Sequence, residues 1–212
     1  NPLTPIQLTL DRIKTKYTNN IDPNDQVNFK ENLNIINNQI KQIENLVNEF
    51  SDFARMPKPL LKQNDFLKLI KDTIAFSKKM DSSIAINLKN RLAKNIYFNF
   101  DYEQFNRLFF NLLKNSIESI QEKAKNINKF NKNIDIEISK RRYYITVNII
   151  DTGLGFKQIN NKDLIKPYFT TKEKGTGLGL SIVDKIVNDH NGSIKFSNLK
   201  NGAKVQIIIK MN

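Results

Sequence analysis

The 212-residue sequence predicts two structural classes in succession, an all-helical hairpin and then a mixed α/β sandwich. Three observations carry this reading. Apolar residues in the first third recur at steps of three and four, the spacing of bundled helices. Met56-Pro57-Lys58-Pro59 then breaks the pattern, because proline removes a backbone donor and disfavours α geometry in the residue before it. Beyond that break, short alternating runs and longer amphipathic runs follow one another, as in a layered α/β domain.

The hairpin is read from two stripes. Leu3, Ile6, Leu10, Ile13 and Tyr17 form the first, and Phe29, Leu33, Ile36, Ile40, Ile43, Val47 and Phe50 the second. Their period of about 3.5 is that of a heptad seam. YTNNIDPNDQ between them supplies Asn, Asp and Pro for a turn. So narrow a stripe buries itself poorly in one hairpin, so residues 1–56 are expected to form a four-helix bundle with a second copy. A hairpin packed within its own chain is the alternative.

Residues 57–212 make the second domain. Asp65 to Met80 reads as a helix, and Ile84 to Leu88 and Ile96 to Phe100 alternate as strands. Asp101 is suited to cap a long helix that reaches about Ala124. Ile134 to Ser139 and Tyr144 to Ile150 read as neighbouring strands joined near Arg141 and Arg142. Residues 152–176 carry too few regular cues for an element, and loops of that length are functional lids or disordered. Leu178 to His190 is helical and closes at Asn191-Gly192. Ser193 to Ser197 and Lys204 to Ile209 supply the last strands. Mixed antiparallel strands with helices on one face give the sandwich.

Composition bounds the function. With 39% hydrophobic and 26% charged residues the chain has the makeup of a globular domain. No apolar run approaches the ~20 residues that span a bilayer, so no membrane contact by this span is expected. The absence of Cys excludes disulfides and thiolate metal sites and suits a reducing compartment, hence a cytoplasmic location. The formal charge of +13 could serve nucleic acid or anionic lipid. The lysines are scattered, however, and a Lys-, Asn- and Ile-heavy codon bias is the plainer explanation. The first residue is Asn1 rather than Met, as in an excerpt of a longer protein.

Three segments could carry chemistry. On the long helix, Asn111, Asn115 and Glu118 share a polar side opposite the arc of Phe105, Leu108, Phe109, Leu112, Leu113 and Ile120. An Asn carboxamide oxygen is a hard neutral ligand that suits Mg2+ and does not repel a triphosphate. Taken alone, the stripe is equally the solvated face of an Asn-rich chain. Asp151 directly follows an apolar strand, where its carboxylate can accept a hydrogen bond from an exocyclic amine such as that of adenine. Gly153 and Gly155 let the backbone turn and approach a flat base, although Asp-x-Gly turns at strand ends are common. Gly175, Gly177 and Gly179 lead into a helix near Leu178, where bare N–H groups suit phosphate. Lys172 offers a point charge nearby. Neither the dinucleotide fingerprint GxGxxG nor the P-loop GxxxxGK[ST] is present.

The order NLLKNSIES, DTGLGF, FTTK, GTGLGLSIV resembles the ATP site of the histidine kinases, whose ATP-binding domain has the Bergerat or GHKL fold. LVNEFSDFARMPKP is similar to the end of the second dimerisation helix of NtrY-like nitrogen-regulation sensor kinases. The resemblance covers nearly the whole chain. It implies ATP and Mg2+ as ligands, with Asn115 on the metal and Asn111 supporting the phosphates. Asp151 would bind adenine beside Gly153 and Gly155. Lys172, Thr176, Gly177, Leu178 and Gly179 would form the phosphate side of a lid over 152–176, anchored by Phe169. Residues 1–56 become the dimerisation and histidine-phosphotransfer hairpin, residues 57–212 the catalytic domain.

The family carries its acceptor His in an H-E-x-x-N sequence whose Asn falls at Asn1, so the acceptor would lie just upstream. His190, the single His, is expected to be structural or at the surface. Lys166 stands where relatives often have Glu. The implied reaction moves a phosphoryl group from ATP to a His imidazole and then to an Asp of a response-regulator receiver domain, which requires positioning and charge neutralisation. Asn1 would orient water if the protein also dephosphorylates its regulator. The resemblance further implies a homodimer, an inner-membrane anchor in upstream segments and no nucleic-acid partner. A dimerising nucleotide-binding module without autokinase activity, or a basic nucleic-acid-binding protein, are the alternatives.

Overall fold

The computed structural model describes residues 3–90, 95–127, 129–156, 161–170, 172 and 175–211, leaving aside the side chains of Asp52 and Asn161. These residues form two compact units that divide between Met56 and Pro57, with Lys172 grouped with the first unit.

In the first unit α1 (Thr4–Tyr17) passes through one 3-10 turn at Thr18–Asn20 into α2 (Pro23–Ala54). The Asp22 side chain accepts the Asn24 N–H and Pro23 occupies the first helical turn, so the turn sequence also starts the helix. Gln7 Nε2 reaches Glu44 Oε2 at 3.5 Å across the pair. The heptad stripe divides. Leu33 and Ile40 are buried, while Ile36, Ile43, Val47 and Phe50 remain 44% to 50% exposed. Among the described residues no helix is long and apolar enough to cross a membrane.

The second unit opens with a strand that the sequence reading did not anticipate, β1 (Lys62–Asp65). Asp65 ends it and caps α3 (Phe66–Ser77) by accepting the Leu67 and Lys68 N–H groups, so this helix is shorter at both ends than expected. β2 (Ala85–Asn90) and β3 (Tyr97–Phe100) follow. β1 and β3 pair antiparallel in a separate two-stranded sheet, so the strand expected at 96–100 stands outside the main sheet. Phe66, fully buried, lies within 6.2 Å of the rings of Phe98, Phe100, Phe105 and Phe109, an aromatic core that joins this small sheet to α3 and α4 (Tyr102–Asn126). Asp101 caps α4 through the Gln104 N–H at 3.0 Å.

β4 (Asn133–Arg141) and β5 (Tyr144–Asp151) form a hairpin whose two-residue turn has Arg142 at φ 53°. A four-residue helix, α5 (Asn161–Leu164), occupies part of the stretch expected to be irregular. α6 (Gly179–Asp189) is followed by a turn with Asn191 at φ 54° and the Gly192 N–H on the Val187 carbonyl. β6 (Ser193–Leu199) and β7 (Gly202–Lys210) complete a five-stranded sheet of order β2-β4-β5-β7-β6, parallel only between β2 and β4. Burial alternates along β5, where Ile145, Val147, Ile149 and Asp151 point inward, and along β7 at Ala203, Val205, Ile207 and Ile209. α4 packs on β5, α6 on β6, and α4 lies between α3 and α6. Asp151 is therefore the last residue of the inward-facing row of a central strand.

Candidate functional site

The site is organised by α4. Asn111, Asn115, Ser119 and Lys123 stand at successive four-residue steps, a stripe along one side of the helix. Its first half meets α6 and its second half meets the turn that follows β5.

At the turn, Asp151 is 5% exposed. Its Oδ1 accepts the Gly153 N–H at 2.9 Å and its Oδ2 lies 3.3 Å from the Ser116 hydroxyl. Burial pushes the carboxyl above its ordinary value, against the Gly153 N–H, the Ser116 hydroxyl, the Ala203 N–H and the Lys123 charge, which all favour the ionised form. The Ser119 hydroxyl accepts the Leu154 N–H at 3.0 Å. Lys123 Nζ donates to the carbonyls of Thr152 and Gly153 at 2.8 and 3.2 Å. Farther along, Asn198 on β6 brackets Phe156, accepting its N–H at 2.7 Å and donating to its carbonyl at 2.8 Å.

The packing around the two glycines of this turn adds a further reason for their presence. A Cβ on Gly153 would collide with the Ser119 side chain and stand 2.9 Å from Asp151 Oδ1. Gly155 holds φ 78°, and a Cβ there would meet Asn198 Oδ1 at 2.9 Å. Both are required by the protein's own packing, and the close approach is to α4 and β6.

At the other end of the stripe, the N-terminus of α6 lies against the two asparagines. A Cβ built on Gly179 would sit 3.9 Å from both Asn111 Oδ1 and Asn115 Nδ2. Asp residues cap α2, α3 and α4, but no side chain caps α6. The Ile182 N–H makes the first return bond, to the Leu178 carbonyl, so the Gly179, Leu180 and Ser181 N–H groups have no partner within the helix. Such an end carries partial positive charge and suits an anion. Gly177, at φ 72°, packs so tightly on the Tyr168–Phe169 backbone that a Cβ would overlap Tyr168. Leu178 is fully buried, and its N–H reaches Thr176 Oγ1 at 3.4 Å. Lys172 is exposed.

Asp151 and Gly153 thus meet one half of α4, Gly179 meets the other half, and Gly155 packs on Asn198 of β6. Asn1 lies outside the described residues, as do 157–160, 171 and 173–174 of the expected lid. Among the described residues no group of three or more His, Cys, Asp or Glu side chains could hold a metal. A cation here would take neutral oxygen from Asn together with ligand oxygens, the donor set that suits Mg2+. Ser116, Ser119, Lys123 and Asn198 escaped the sequence reading. The four-residue step from Asn111 and Asn115 leads directly to Ser119 and Lys123, so half of that set carried a usable signal.

His190 is buried. Its Nδ1 donates to the Ile186 carbonyl at 2.8 Å, its Nε2 accepts the Asp101 N–H at 3.2 Å, and its ring lies 4.4 Å from Phe105. Burial lowers its pKa against the raising effects of the Ile186 carbonyl, Asp101 and Asp189. Both nitrogens are engaged, so this His is structural.

The family described as histidine kinase-, DNA gyrase B- and HSP90-like ATPases matches residues 100–212, which contain the whole α4 stripe, the Asp151 turn and α6. The chain belongs to this ATPase family. Within it, the ATP-binding domain groups with those of the NtrY-like sensor histidine kinases. It is 32% identical over 202 residues to the nitrogen regulation protein NtrY of Azorhizobium caulinodans, covering 95% of this chain and 26% of that protein. An NtrY-like sensor histidine kinase of Rickettsia prowazekii is 33% identical over 98% of this chain and 33% of its own length. The chain therefore spans about a quarter to a third of these relatives. In fold it is similar to the histidine kinase AdeS of Acinetobacter baumannii, with a TM-score of 0.64 over 99% of this chain and 96% of that one at 22% identity. The histidine kinase ThkA, solved in complex with the response regulator TrrA, gives a TM-score of 0.71 over 100% of this chain and 58% of that one at 23% identity. An ATPase domain with this membership takes ATP, and the α/β architecture is that of the histidine kinase catalytic domains.

Proposed function

We propose that the chain is the ATP-binding core of a sensor histidine kinase that moves the γ-phosphate of ATP to a His imidazole and onward to a receiver-domain Asp. The observation that carries the reading is the α4 stripe, which meets an uncapped helix N-terminus at Asn111 and Asn115 and a buried carboxylate turn at Ser119 and Lys123. Asp151 accepts the adenine amine. The Gly179 end of α6, with the Gly177 turn, Thr176, the Leu178 backbone and Lys172, receives the phosphates. Asn111 supports the phosphates and Asn115 supplies a neutral oxygen to Mg2+. The metal would neutralise charge on the transferring phosphoryl group. The chain's own residues bind and orient. The acceptor belongs to a segment other than these 212 residues, because the single His is buried with both nitrogens engaged.

The exposed apolar row Ile36, Ile43, Val47 and Phe50 on α2 supports a homodimer through residues 1–56. A response-regulator receiver domain is the proposed protein partner, in keeping with the ThkA complex. A membrane anchor, if the whole protein is built as a sensor, lies in other segments.

The test uses the chain extended by the natural residues that precede it, incubated with labelled ATP and Mg2+. Acid-labile, base-stable phosphoprotein is expected. Mg2+-dependent ATP binding with no phosphoprotein would leave a nucleotide-binding dimer and overturn the kinase reading.

A further inference from the structure

Lys123 has no place in the phosphoryl-transfer chemistry just described, yet it makes the shortest polar contact between α4 and the turn after β5. Its ammonium spans the Thr152 and Gly153 carbonyls at 2.8 and 3.2 Å, and the same Nζ lies 4.8 Å from the Phe130 ring centroid. Four residues earlier on the same helix face, Ser119 accepts the Leu154 N–H at 3.0 Å. Three consecutive residues of the turn, 152, 153 and 154, are thereby bonded to one helix through side chains. The turn has no regular secondary structure of its own at these positions. The Thr152 N–H bonds the Asn133 carbonyl and the Gly153 N–H the Asp151 carboxylate, and Lys123 and Ser119 take up the two carbonyls and the Leu154 N–H.

The geometry points to Lys123 and Ser119 as positioning residues that hold the base-binding turn in register with the phosphate end of the same helix. This rests on the reading of Asp151 as the adenine acceptor. Asp151 Oδ1 takes the Gly153 N–H, so the orientation of that peptide sets the orientation of the carboxylate. Lys123 holds the same peptide unit from its carbonyl side. From Asn111 to Lys123 the helix rises about 18 Å, and a rigid helix transmits no error between the two ends. The distance between base and phosphate subsites is thus set by α4 rather than by the lid. Lys123 is also the charged side chain whose field favours ionised Asp151, the form that accepts a hydrogen bond.

The 212-residue chain is titrated calorimetrically with Mg-ATP and, separately, with Mg-tripolyphosphate, which has no base. Lys123→Met is expected to weaken ATP binding about tenfold, since hydrogen bonds to charged groups are of that strength, while tripolyphosphate affinity stays within about twofold. Lys123→Arg keeps the charge and two donors and is expected to recover most of the loss. Ser119→Ala, which removes only the acceptor for Leu154, should weaken ATP binding more mildly with the same indifference of tripolyphosphate. An equal fall for both ligands would mark general destabilisation and overturn the inference, as would unchanged ATP affinity in Lys123→Met. Failure of the unsubstituted chain to bind ATP would instead overturn the nucleotide reading itself.

Discussion

His190 Nε2 accepts the backbone N–H of Asp101 at 3.2 Å, so the residue that follows α6 holds the residue that caps α4. Asp101 in turn accepts the Leu60 N–H at 2.8 Å and the Gln104 N–H at 3.0 Å, and Gln104 Nε2 donates to the Pro57 carbonyl at 3.1 Å. One histidine thus secures the start of the helix that carries the site and, through it, the segment after the Pro57–Pro59 break. Acceptance at Nε2 requires the neutral imidazole.

Replacing His190 by Ala should cost about 2–4 kcal/mol, from the cavity beside Phe105 and the stranded Asp101 N–H. The pH dependence has a definite sign. The folded pKa lies below the unfolded value of about 6.5, so the contribution is complete above that pH and is lost as pH falls through the folded pKa. Urea melts between pH 8 and 5 should show wild-type stability declining below about 6.5, and the decline should be reduced in His190→Ala. A variant with the wild-type slope would remove His190 as its source.

Asp151 works in the opposite sense. Its carboxyl is raised by burial, so its contribution to stability is complete below the ordinary carboxylate pKa and is lost as pH rises through the folded value. Above the ordinary carboxylate range the raised pKa therefore counts against folding. Asp151→Asn keeps an acceptor for the Gly153 N–H and should raise the melting temperature by a few degrees while abolishing measurable ATP binding. The stability gain should shrink toward pH 4. Thermal melts over pH and an ATP titration check both halves, and a destabilised variant would refute the cost assigned to the charge.

Two glycines two residues apart should separate folding from binding. Gly177→Ala forces a side chain into φ 72° and into the Tyr168 backbone, and should lose at least about 2 kcal/mol. Gly179→Ala has room for its methyl group and should fold as well as or better than the parent, by up to about 1 kcal/mol. That methyl group would, however, occupy the space between α6 and the two asparagines, and ATP affinity should fall about tenfold, equivalent to ~1.4 kcal/mol. Denaturant melts and calorimetry on both variants test the contrast.

On α2, Ile43→Glu combined with Val47→Glu places charge in the exposed apolar row. Sedimentation equilibrium should show two copies for the parent chain and one for the variant, with the helical circular dichroism of the second unit unchanged. A parent that is monomeric at micromolar concentration would remove the case for a bundle.

Much of this structure was legible in local sequence. The heptad steps located α1 and α2, Asp101 announced the start of α4, and alternation found the strands of the main sheet. β1 was not legible, because Lys62-Gln63-Asn64-Asp65 has no apolar alternation and is a strand only through its pairing with Tyr97–Phe100. The aromatic core around Phe66 was equally hidden, since its rings come from α3, β3 and α4.

What the sequence alone determined is the kind of site. Asn111 and Asn115 at a helical step, a carboxylate at the end of a strand, and glycines ahead of a helix are each ambiguous alone, and only their order together resembles an ATP site. What only the tertiary structure decided is who holds that site in shape. Ser119 and Lys123 meet the Asp151 turn from 29 to 35 residues away, Asn198 meets Phe156 from 42, and His190 meets Asp101 from 89. Such contacts leave no periodic trace in the chain, because they depend on which elements the core brings together and not on the spacing within any one of them.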